Sequence, residues 1–504
     1  MIAIAAPRVD WYSIAPVVTL VAAGLVIILF TAIARNRVRT YEPALVVGIA
    51  GLAVGAFFLM KQWSVVIDGG PSDALAHMIA LDGFSVFVGV VVVISAILML
   101  LLSTDYLAEH GIESRPEYVA LVLFSAAGML MMAGANDLIV VFVALEVLSI
   151  PLYVLAAYDR TRARSLEAGI KYFVLGAFSS AILLYGVALT YGATGTTSLS
   201  GIQTFLSTNV LVHEGTLIAG MVLLLVGLSF KIAAVPFHMW TPDVYEGAPS
   251  PVTAFMASAT KVAGFAALIR ILYTALPQYS TDWRQLLFAL AALTLLGGSI
   301  GALLQTDLKR LLAYSSIAHA GYILIGVQAG TVKGVQSALV YLFVYAFMTI
   351  GAFAIVIALG GRDDLHSIAD LRAYGRRRPV IAALLAFFLL AQAGIPPTAG
   401  FIAKLGVFAA AAQAHSYALL IIGVVTSVIA TFFYLKVILT MYAGEDDGEA
   451  TDGTSEPATD DATARRSLGL PVATVLVVCV AMTIWIGVLP TIIIDFARDA
   501  SLII

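Results

Sequence analysis

The chain has 504 residues, of which 61% are hydrophobic and 12% are charged, and its formal net charge is −4. Soluble domains carry about 25% charged residues, so this composition excludes a soluble globular enzyme. It predicts a polytopic membrane protein whose surroundings are lipid and other membrane chains, with no nucleic-acid partner.

The sequence carries no motif for a cofactor. Its one cysteine, Cys479, cannot ligate an iron–sulfur cluster, build a structural zinc site or form an internal disulfide. There is no phosphate-binding loop, no pair of deep histidines for a membrane haem and no metal-ligand cluster. We therefore expect no cofactor or metal in this chain, and an energy source in an ion gradient or a partner complex.

Apolar stretches of spanning length recur almost without interruption along the chain. A transmembrane helix needs about 20 such residues, so the pattern predicts an all-α polytopic membrane protein with about fourteen transmembrane helices. The expected spans are 13–34, 42–61, 79–103, 116–133, 137–158, 165–191, 216–237, 250–275, 284–304, 309–329, 334–360, 378–412, 416–442 and 468–490.

The distribution of lysine and arginine predicts the orientation. Loops after odd-numbered helices contain sixteen of these residues, and the opposite side contains five. Because cytoplasmic loops carry the excess of positive charge, both termini are expected outside, in a bacterial plasma membrane. The loop 238–249 has no lysine or arginine and gives this orientation no support.

Two predicted helices carry prolines at membrane depth beside a lysine. Lys231 stands five residues before Pro236, and Lys404 stands seven residues after Pro397. Proline removes a backbone hydrogen bond, and in lipid the freed carbonyl needs another partner. Broken helices in corresponding places indicate an ion site, although two unrelated proline kinks are the alternative.

These broken helices are seventh and twelfth in the count, and an odd interval means that they cross the membrane in opposite directions. We therefore predict two inverted five-helix repeats, residues 116–275 and 284–442, each containing a broken helix. A three-helix segment (1–115) precedes them, and an acidic, disordered cytoplasmic loop (443–467) and a C-terminal helix (468–504) follow.

Four ionisable residues stand at membrane depth: Glu146, Lys231, Lys261 and Lys404. A charge there costs at least about 2.5–3.5 kcal/mol, so each is a candidate for proton transfer. Small residues surround Lys261, which lets water or neighbouring helices approach it. The alternative for Glu146 and Lys231 is a static ion pair, and Lys404 could instead cap carbonyls freed by the break.

His319 lies about ten residues into an apolar helix and is a candidate proton relay, or else a hydrogen-bonded core histidine. His238 follows Pro236 and is a candidate for the cytoplasmic mouth of a proton path. Lys309, near a cytoplasmic helix end, is expected to reach the interface as an anchor.

Three long motifs resemble a known family. The run FHMWTPDVYEGAPSPVTAFMASATKVAGF, QTDLKRLLAYSSIAHAGYILIG and AGIPPTAGFIAKLGVF are similar to helices of the antiporter-like subunits of proton-pumping NADH–quinone oxidoreductase (complex I). The resemblance covers roughly residues 80–460. Within the family, the chain is most similar to the N-type subunits. The features that carry this similarity are the segment PDVYEGAPSPVTAF, the lysine at position 404 and an end after the fourteenth helix.

The resemblance implies a non-redox translocase subunit in which Glu146, Lys231, Lys261 and Lys404 match the family's buried glutamate and lysines. It implies FMN, iron–sulfur clusters and quinone in partner subunits, and membrane-arm neighbours of the M, K and J types. Protons would load Lys231 near His238, with Glu146 as its switching partner, and then pass towards Lys404. The acidic loop departs from the family pattern.

Three other functions remain open from the sequence. The same family includes subunits of multi-component Na⁺/H⁺ antiporters, which is the first alternative. A structural membrane subunit with static charge pairs is the second. A quinone-reducing enzyme is the third, and the chain has no motif for the cofactor that it would need.

Overall fold

Helices form most of the residues that the computed structural model describes, which are 9–33, 41–112, 115–210, 214–360, 367–444 and 468–500. The helices are α1 (Ala15–Ile33), α2 (Tyr41–Gly69), α3 (Gly83–Glu109), α4 (Pro116–Gly134), α5 (Leu138–Ala156), α6 (Ala163–Thr194), α7 (Leu199–Thr208), α8 (Glu214–Ile232), α9 (Trp240–Gly247), α10 (Ser250–Ala275), α11 (Ser280–Leu303), α12 (Leu308–Gln328), α13 (Val332–Leu359), α14 (Pro379–Ala393), α15 (Ala399–Gln413), α16 (Tyr417–Tyr442), α17 (Leu470–Val488) and α18 (Thr491–Asp499). Single helical turns lie at Pro277–Tyr279, Ile368–Leu371 and Tyr374–Arg377, and strands β1 (Ser72–Ala74) and β2 (Ile79–Leu81) form an antiparallel hairpin.

The described helices confirm an all-α polytopic membrane protein. Thirteen of them are long and apolar enough to cross a membrane, and the shorter α14 and α15 are the two halves of the twelfth predicted span. A single helix over 378–412 would need Gly394, whose φ is 88°, to adopt helical angles. Most of the predicted acidic loop, residues 445–467, lies outside the described residues.

Three predicted spans had wrong ends. The third begins at Gly83 instead of 79, because residues 79–81 form β2 and Asp82 caps the helix, and it ends at Glu109 instead of 103. The seventh predicted span ends at Ile232 instead of 237, because Ala233 has a φ of 61° and cannot continue a right-handed helix. The second continues to Gly69 instead of stopping at 61. Lys61 does not end it, since its ammonium group lies over the Phe57 ring, 5.8 Å from the centroid, on the helix surface.

The inverted repeats are visible in two matching capping sites. Asp137 caps α5 by accepting a bond from a first-turn N–H at 2.8 Å and pairs with Ser198 in an isolated bridge. Asp307 caps α12 in the same way at 2.9 Å and pairs with Ser367. The helix order places these two sites at opposite ends of the bundle, as an inverted repeat requires. The exact domain boundaries remain a prediction.

The protein interior is centred on α10, α12 and α13. In the most apolar 18-residue stretch of each helix, all residues of α10 and 94% of those of α12 and α13 are buried. The corresponding share is 33% for α16 and α17. Ionisable side chains on the central helices are therefore shielded by protein on every side, and the outer helices turn apolar faces outward.

One fully buried ion pair joins the central helix to the N-terminal segment. Arg270 on α10 donates two hydrogen bonds of 2.9 Å to the Asp82 carboxylate, and a third of 3.0 Å to the Ala133 carbonyl. Asp82 also caps α3 by accepting from the Ser85 N–H. The pair therefore ties the ends of α3, α4 and α10 together, and sequence reasoning identified neither Arg270 nor Asp82.

We predict that Arg270→Met destabilises the protein by about 3–5 kcal/mol, because it leaves a buried carboxylate without its cation. The thermal unfolding of the purified protein in detergent measures this. Asp82→Asn combined with Arg270→Met should recover part of the loss, since asparagine still caps a helix. Arg498→Met at an exposed position is the control, and equal effects from the two arginine variants would contradict the prediction.

Candidate functional site

Lys231 is buried at the last turn of α8, next to the helix break. Its ammonium group donates to the Ser149 hydroxyl at 2.8 Å and to the Tyr172 hydroxyl at 3.1 Å. Both acceptors come from other helices, α5 and α6. The lysine is thus held by neutral oxygens, which permits either a charged or a neutral amine.

Glu146 lies one turn before Ser149 on α5, and it is partly exposed. Its Oε1 atom is buried without a hydrogen-bond partner in the described part of the chain, and no ion pair with Lys231 is formed. Neighbouring positions on the same helix face, Val143 and Ile150, are exposed. The carboxylate therefore lies close to Lys231 but on a face that turns towards lipid or another chain.

Lys261 lies at the centre of α10, directly after a π-helical turn, Met256–Thr260. It is buried, and its ammonium group donates to the Ser316 carbonyl of α12 and lies 5.8 Å from the centroid of the Tyr345 ring. Such turns inside α-helices often mark functional positions. One turn further on, Gly264 packs against the Lys231 side chain, so α10 brings the two lysines close.

His319 stands one turn after Ser316 on α12 and is surrounded by tyrosines. Its Nδ1 lies 2.8 Å from the Tyr341 hydroxyl and its Nε2 lies 3.3 Å from the Tyr434 hydroxyl. The Tyr345 ring centroid is 5.0 Å from the imidazole, and its hydroxyl donates to the Ser316 hydroxyl at 2.8 Å. The histidine is therefore connected to the residue that holds Lys261.

Lys404 lies near the start of α15 and is buried. Its ammonium group donates to the Ala393 carbonyl at 2.7 Å and to the Ser427 hydroxyl at 2.8 Å. Ala393 is the last residue of α14, so the helix break supplies this acceptor. The same ammonium lies 4.7 Å from the Tyr322 ring centroid, and the His319 ring lies 6.0 Å from that of Tyr322.

The tertiary structure therefore brings four predicted residues onto one buried line, from Lys231 through Lys261 and His319 to Lys404. Glu146 lies beside the first of them. His238 is set apart in the break after α8, where it is half-buried and its ring centroid is 6.5 Å from that of Tyr314.

Tyr245 on α9 was not identified from the sequence. It is fully buried, and its hydroxyl has no hydrogen-bond partner among the described residues. It approaches Tyr172, which holds Lys231, and also Ser316 and Tyr345, which lie at Lys261. Its hydroxyl therefore lies between the groups that hold the two lysines.

A cluster of charges surrounds α9 at one end of the bundle. Asp243 accepts bonds from Lys171 at 2.7 Å and from Arg310 at 2.8 Å, and Arg310 also donates to Glu246 at 2.8 Å. Lys309 was expected to be an interfacial anchor, and this was wrong: it is fully buried and donates to the Ala248 carbonyl. The carbonyl groups at the C-terminal end of the short helix α9 need hydrogen-bond donors, which explains why the Lys309 side chain is buried there.

The side chains on this line are suited to holding and passing protons. Amines, an imidazole and phenol hydroxyls exchange protons without a change of redox state. No group of His, Cys, Asp and Glu that could hold a metal ion occurs within the described residues. The fold and this line define a multi-span membrane protein with protonatable groups through its interior.

Comparison with known proteins assigns the chain to a family. Residues 135–430 match the profile described as NADH:quinone oxidoreductase/Mrp antiporter, TM. The chain is 40% identical to NADH-quinone oxidoreductase subunit N of Trichlorobacter lovleyi, over 97% of this chain and 96% of that protein. The chain belongs to the NADH:quinone oxidoreductase/Mrp antiporter family.

Solved structures share the architecture. A chain of respiratory complex I from Thermus thermophilus, solved with bound aureothin, superposes with a TM-score of 0.77 at 32% identity, covering 96% of this chain and 100% of that one. A chain of the Mrp complex from Dietzia superposes with a TM-score of 0.83 over 97% of this chain and 96% of that one. At 22% identity, the second likeness concerns the fold alone.

The charge cluster at α9 predicts acid sensitivity. Burial raises the pKa of the Asp243 carboxyl, but hydrogen bonds and charge from Lys171 and Arg310 lower it, and the net pKa lies below the ordinary value of 3.8. A carboxyl group whose pKa is lower in the folded than in the unfolded protein stabilises the folded state at pH values above its unfolded-state pKa. This stabilisation is lost as the pH falls through the folded-state pKa.

We therefore expect Asp243→Asn to lower the unfolding temperature at neutral pH, with the difference from wild type shrinking below about pH 4. Thermal unfolding in detergent between neutral and acid pH measures it. Asp68→Asn, at an exposed position, is the matched control. A difference that stays constant down to acid pH would show that the carboxylate charge is not what stabilises the cluster.

Proposed function

We propose that this chain is an N-type, proton-translocating membrane subunit of a respiratory NADH–quinone oxidoreductase. The observation that carries the proposal is the buried line from Lys231 to Lys404, which begins and ends at helix breaks. The named relatives support the complex in which it works. The chain resides in a bacterial plasma membrane with both termini outside, as the lysine and arginine distribution predicts.

In this proposal the chain holds no redox centre. FMN, iron–sulfur clusters and quinone belong to partner subunits, and M-, K- and J-type membrane subunits are its neighbours. Quinone reduction in the partners drives proton movement here by shifting charge along the membrane arm. The partly exposed face of α5 that carries Glu146 is suited to receive such a shift from a neighbouring chain.

The proposed cycle begins at Lys231. A proton arrives from the end of the bundle that carries α9 and His238, and the ammonium form is held by Ser149 and Tyr172. Approach of the Glu146 carboxylate, whose Oε1 atom has no hydrogen-bond partner among the described residues, favours the charged lysine, and its withdrawal releases the proton. Glu146 and Lys231 thus act as a switching pair, because the distance between them sets whether Lys231 holds its proton.

The second half of the cycle runs through the central helices. The proton passes to Lys261, then past Ser316 and Tyr345 to His319, whose two ring nitrogens face tyrosine hydroxyls. Lys404 receives it at the second break and governs its exit. Short distances between oxygen and nitrogen atoms favour this route, and bound water fills the remaining gaps.

The direct test is proton pumping in membrane vesicles that carry Lys231→Ala or Glu146→Ala in the complete complex. We expect assembly and retained NADH oxidation with pumping reduced by at least about tenfold, because proton transfer loses a required group. Lys61→Ala, at an exposed lysine, is the control. Normal pumping by an assembled Lys231→Ala complex would contradict the mechanism.

Tyr245→Phe tests the link between Lys231 and Lys261. It removes one hydroxyl and keeps the buried ring, so we expect full assembly with pumping slowed by about tenfold. Phe is also introduced at Tyr41, whose hydroxyl is likewise buried without a partner but lies on α2, as the matched control. Equal pumping by the Tyr245 and Tyr41 variants would remove Tyr245 from the path.

Two rival functions predict different results in the same vesicles. A subunit of a Na⁺/H⁺ antiporter predicts sodium-dependent proton movement that continues without NADH, and the family profile includes such proteins. A purely structural subunit predicts that Lys261→Ala prevents assembly and never gives an assembled complex that is uncoupled. An assembled Lys261→Ala complex that oxidises NADH without pumping excludes this second rival.

A further inference from the structure

A continuous chain of hydrogen bonds leads from His319 to a backbone carbonyl group. The His319 Nε2 atom lies 3.3 Å from the Tyr434 hydroxyl, which in turn contacts the Ser315 hydroxyl. The Ser315 hydroxyl lies 3.2 Å from the side-chain oxygen of Gln392, and the Gln392 amide nitrogen lies 3.5 Å from the Met348 carbonyl oxygen. All of these side chains are buried, so each bond takes its direction from its protein partners.

The backbone carbonyl fixes the direction of every bond in this chain. A carbonyl oxygen only accepts, so the group of Gln392 that faces Met348 must be the amide NH₂. The side-chain oxygen of Gln392 therefore faces Ser315 and accepts its hydroxyl hydrogen. With that hydrogen committed, the Ser315 oxygen accepts from the Tyr434 hydroxyl. A hydroxyl group has one hydrogen, so Tyr434 has none left to donate to His319.

The same direction determines the tautomer of the His319 imidazole. Nε2 must donate to the Tyr434 oxygen, because that oxygen has no hydrogen to offer it. A neutral imidazole carries one N–H, so Nδ1 is an acceptor. Nδ1 lies 2.8 Å from the Tyr341 hydroxyl, which donates to it. Nδ1 is thus the ring atom that can take up a further proton.

We propose that Gln392 is a positioning residue that keeps neutral His319 in the Nε2–H tautomer, so that the transported proton is taken up and released at Nδ1. This inference rests on the relay role proposed for His319. Uptake forms the Nδ1–H bond and gives an imidazolium with a hydrogen on each nitrogen. The Tyr341 hydroxyl then turns its own hydrogen away, and its oxygen accepts from Nδ1. Release breaks the Nδ1–H bond and restores the neutral ring.

The two sides of the imidazole lead to different ends. A proton that left Nε2 along the chain would stop at the side-chain oxygen of Gln392, because an amide oxygen is a very weak base. On the Nδ1 side, the Tyr341 ring stacks on the Tyr322 ring with centroids 6.3 Å apart. The Lys404 ammonium lies 4.7 Å from the Tyr322 centroid. The Nε2 side therefore holds the ring in place, and the Nδ1 side exchanges protons with the Lys404 end.

Nitrogen-15 NMR of the complete complex, labelled on histidine, tests the tautomer directly. Ring nitrogens with and without hydrogen resonate at well separated positions. The signals of His319 are identified by their loss in an assembled His319→Gln complex. We expect the neutral wild-type ring to carry its hydrogen on Nε2, and a hydrogen on Nδ1 would overturn the proposal.

Variants of the chain change its direction. Ser315→Ala leaves the Tyr434 hydroxyl with Nε2 as its acceptor among the described residues, so His319 should change to the Nδ1–H tautomer. Gln392→Met removes the anchor, so both tautomers should appear. Ser315→Thr keeps the hydroxyl and should keep the wild-type tautomer. Ser103→Ala is the matched control, because the buried Ser103 hydroxyl also contacts a helix carbonyl and, at 2.9 Å, a tyrosine hydroxyl, but lies on α3.

Proton pumping in vesicles tests whether the tautomer matters for transport. In Ser315→Ala the acceptor nitrogen faces Tyr434 and no longer Tyr341. We therefore expect pumping to fall by at least about tenfold, with assembly and NADH oxidation retained, and Ser103→Ala to pump normally.

The outcomes separate this inference from the proposed function. The wild-type tautomer alone in an assembled Ser315→Ala or Gln392→Met complex would overturn the role of Gln392. A changed tautomer with undiminished pumping would refute proton uptake at Nδ1. Normal pumping by the assembled His319→Gln complex would instead remove His319 from the path, which is a failure of the proposed function that the NMR spectra do not share.

Discussion

Each buried ammonium group on the central line ends on an oxygen atom of the protein, and this requirement shapes the helices around it. Lys231 reaches the Ser149 hydroxyl, Lys261 reaches the Ser316 carbonyl, and Lys404 reaches the Ala393 carbonyl. Intact helices use their carbonyls internally, and lipid supplies none. A break, a facing hydroxyl or a helix carbonyl that accepts a second bond must therefore accompany each lysine, and the packing of α8, α10, α12 and α15 follows from this.

The inverted repeat supplies these breaks twice and at opposite ends. In the first repeat the lysine precedes the break, and in the second Lys404 follows it and donates back to the half-helix before it. Matching aspartate caps, Asp137 and Asp307, fix the start of corresponding helices. The central helix α10 then needs no break of its own, because the neighbouring α12 presents its acceptor to Lys261.

The inner and outer faces of α5 and α6 have different surroundings. Within the bundle, Ser149 and Tyr172 hold Lys231, while the outer faces of the same helices carry exposed apolar side chains such as Ile150 and Ile170. Tyr153 and Tyr172 are in contact between them. Two helices therefore serve both the interior and the lipid-facing surface, because every residue three or four positions further on returns to the same face.

The sequence by itself determined the membrane class, the number of spans, the two broken helices and the presence of Glu146, Lys231, Lys261, His319 and Lys404 within apolar helices, because hydropathy and proline act locally along the chain. Which side chains contact each other was decided only by the tertiary structure. Tyr245 approaches the lysine sites from α9, Arg270 meets Asp82 across 188 positions of sequence, and Lys231 meets hydroxyls and not Glu146. Contacts between distant segments depend on helix packing, which no local pattern records.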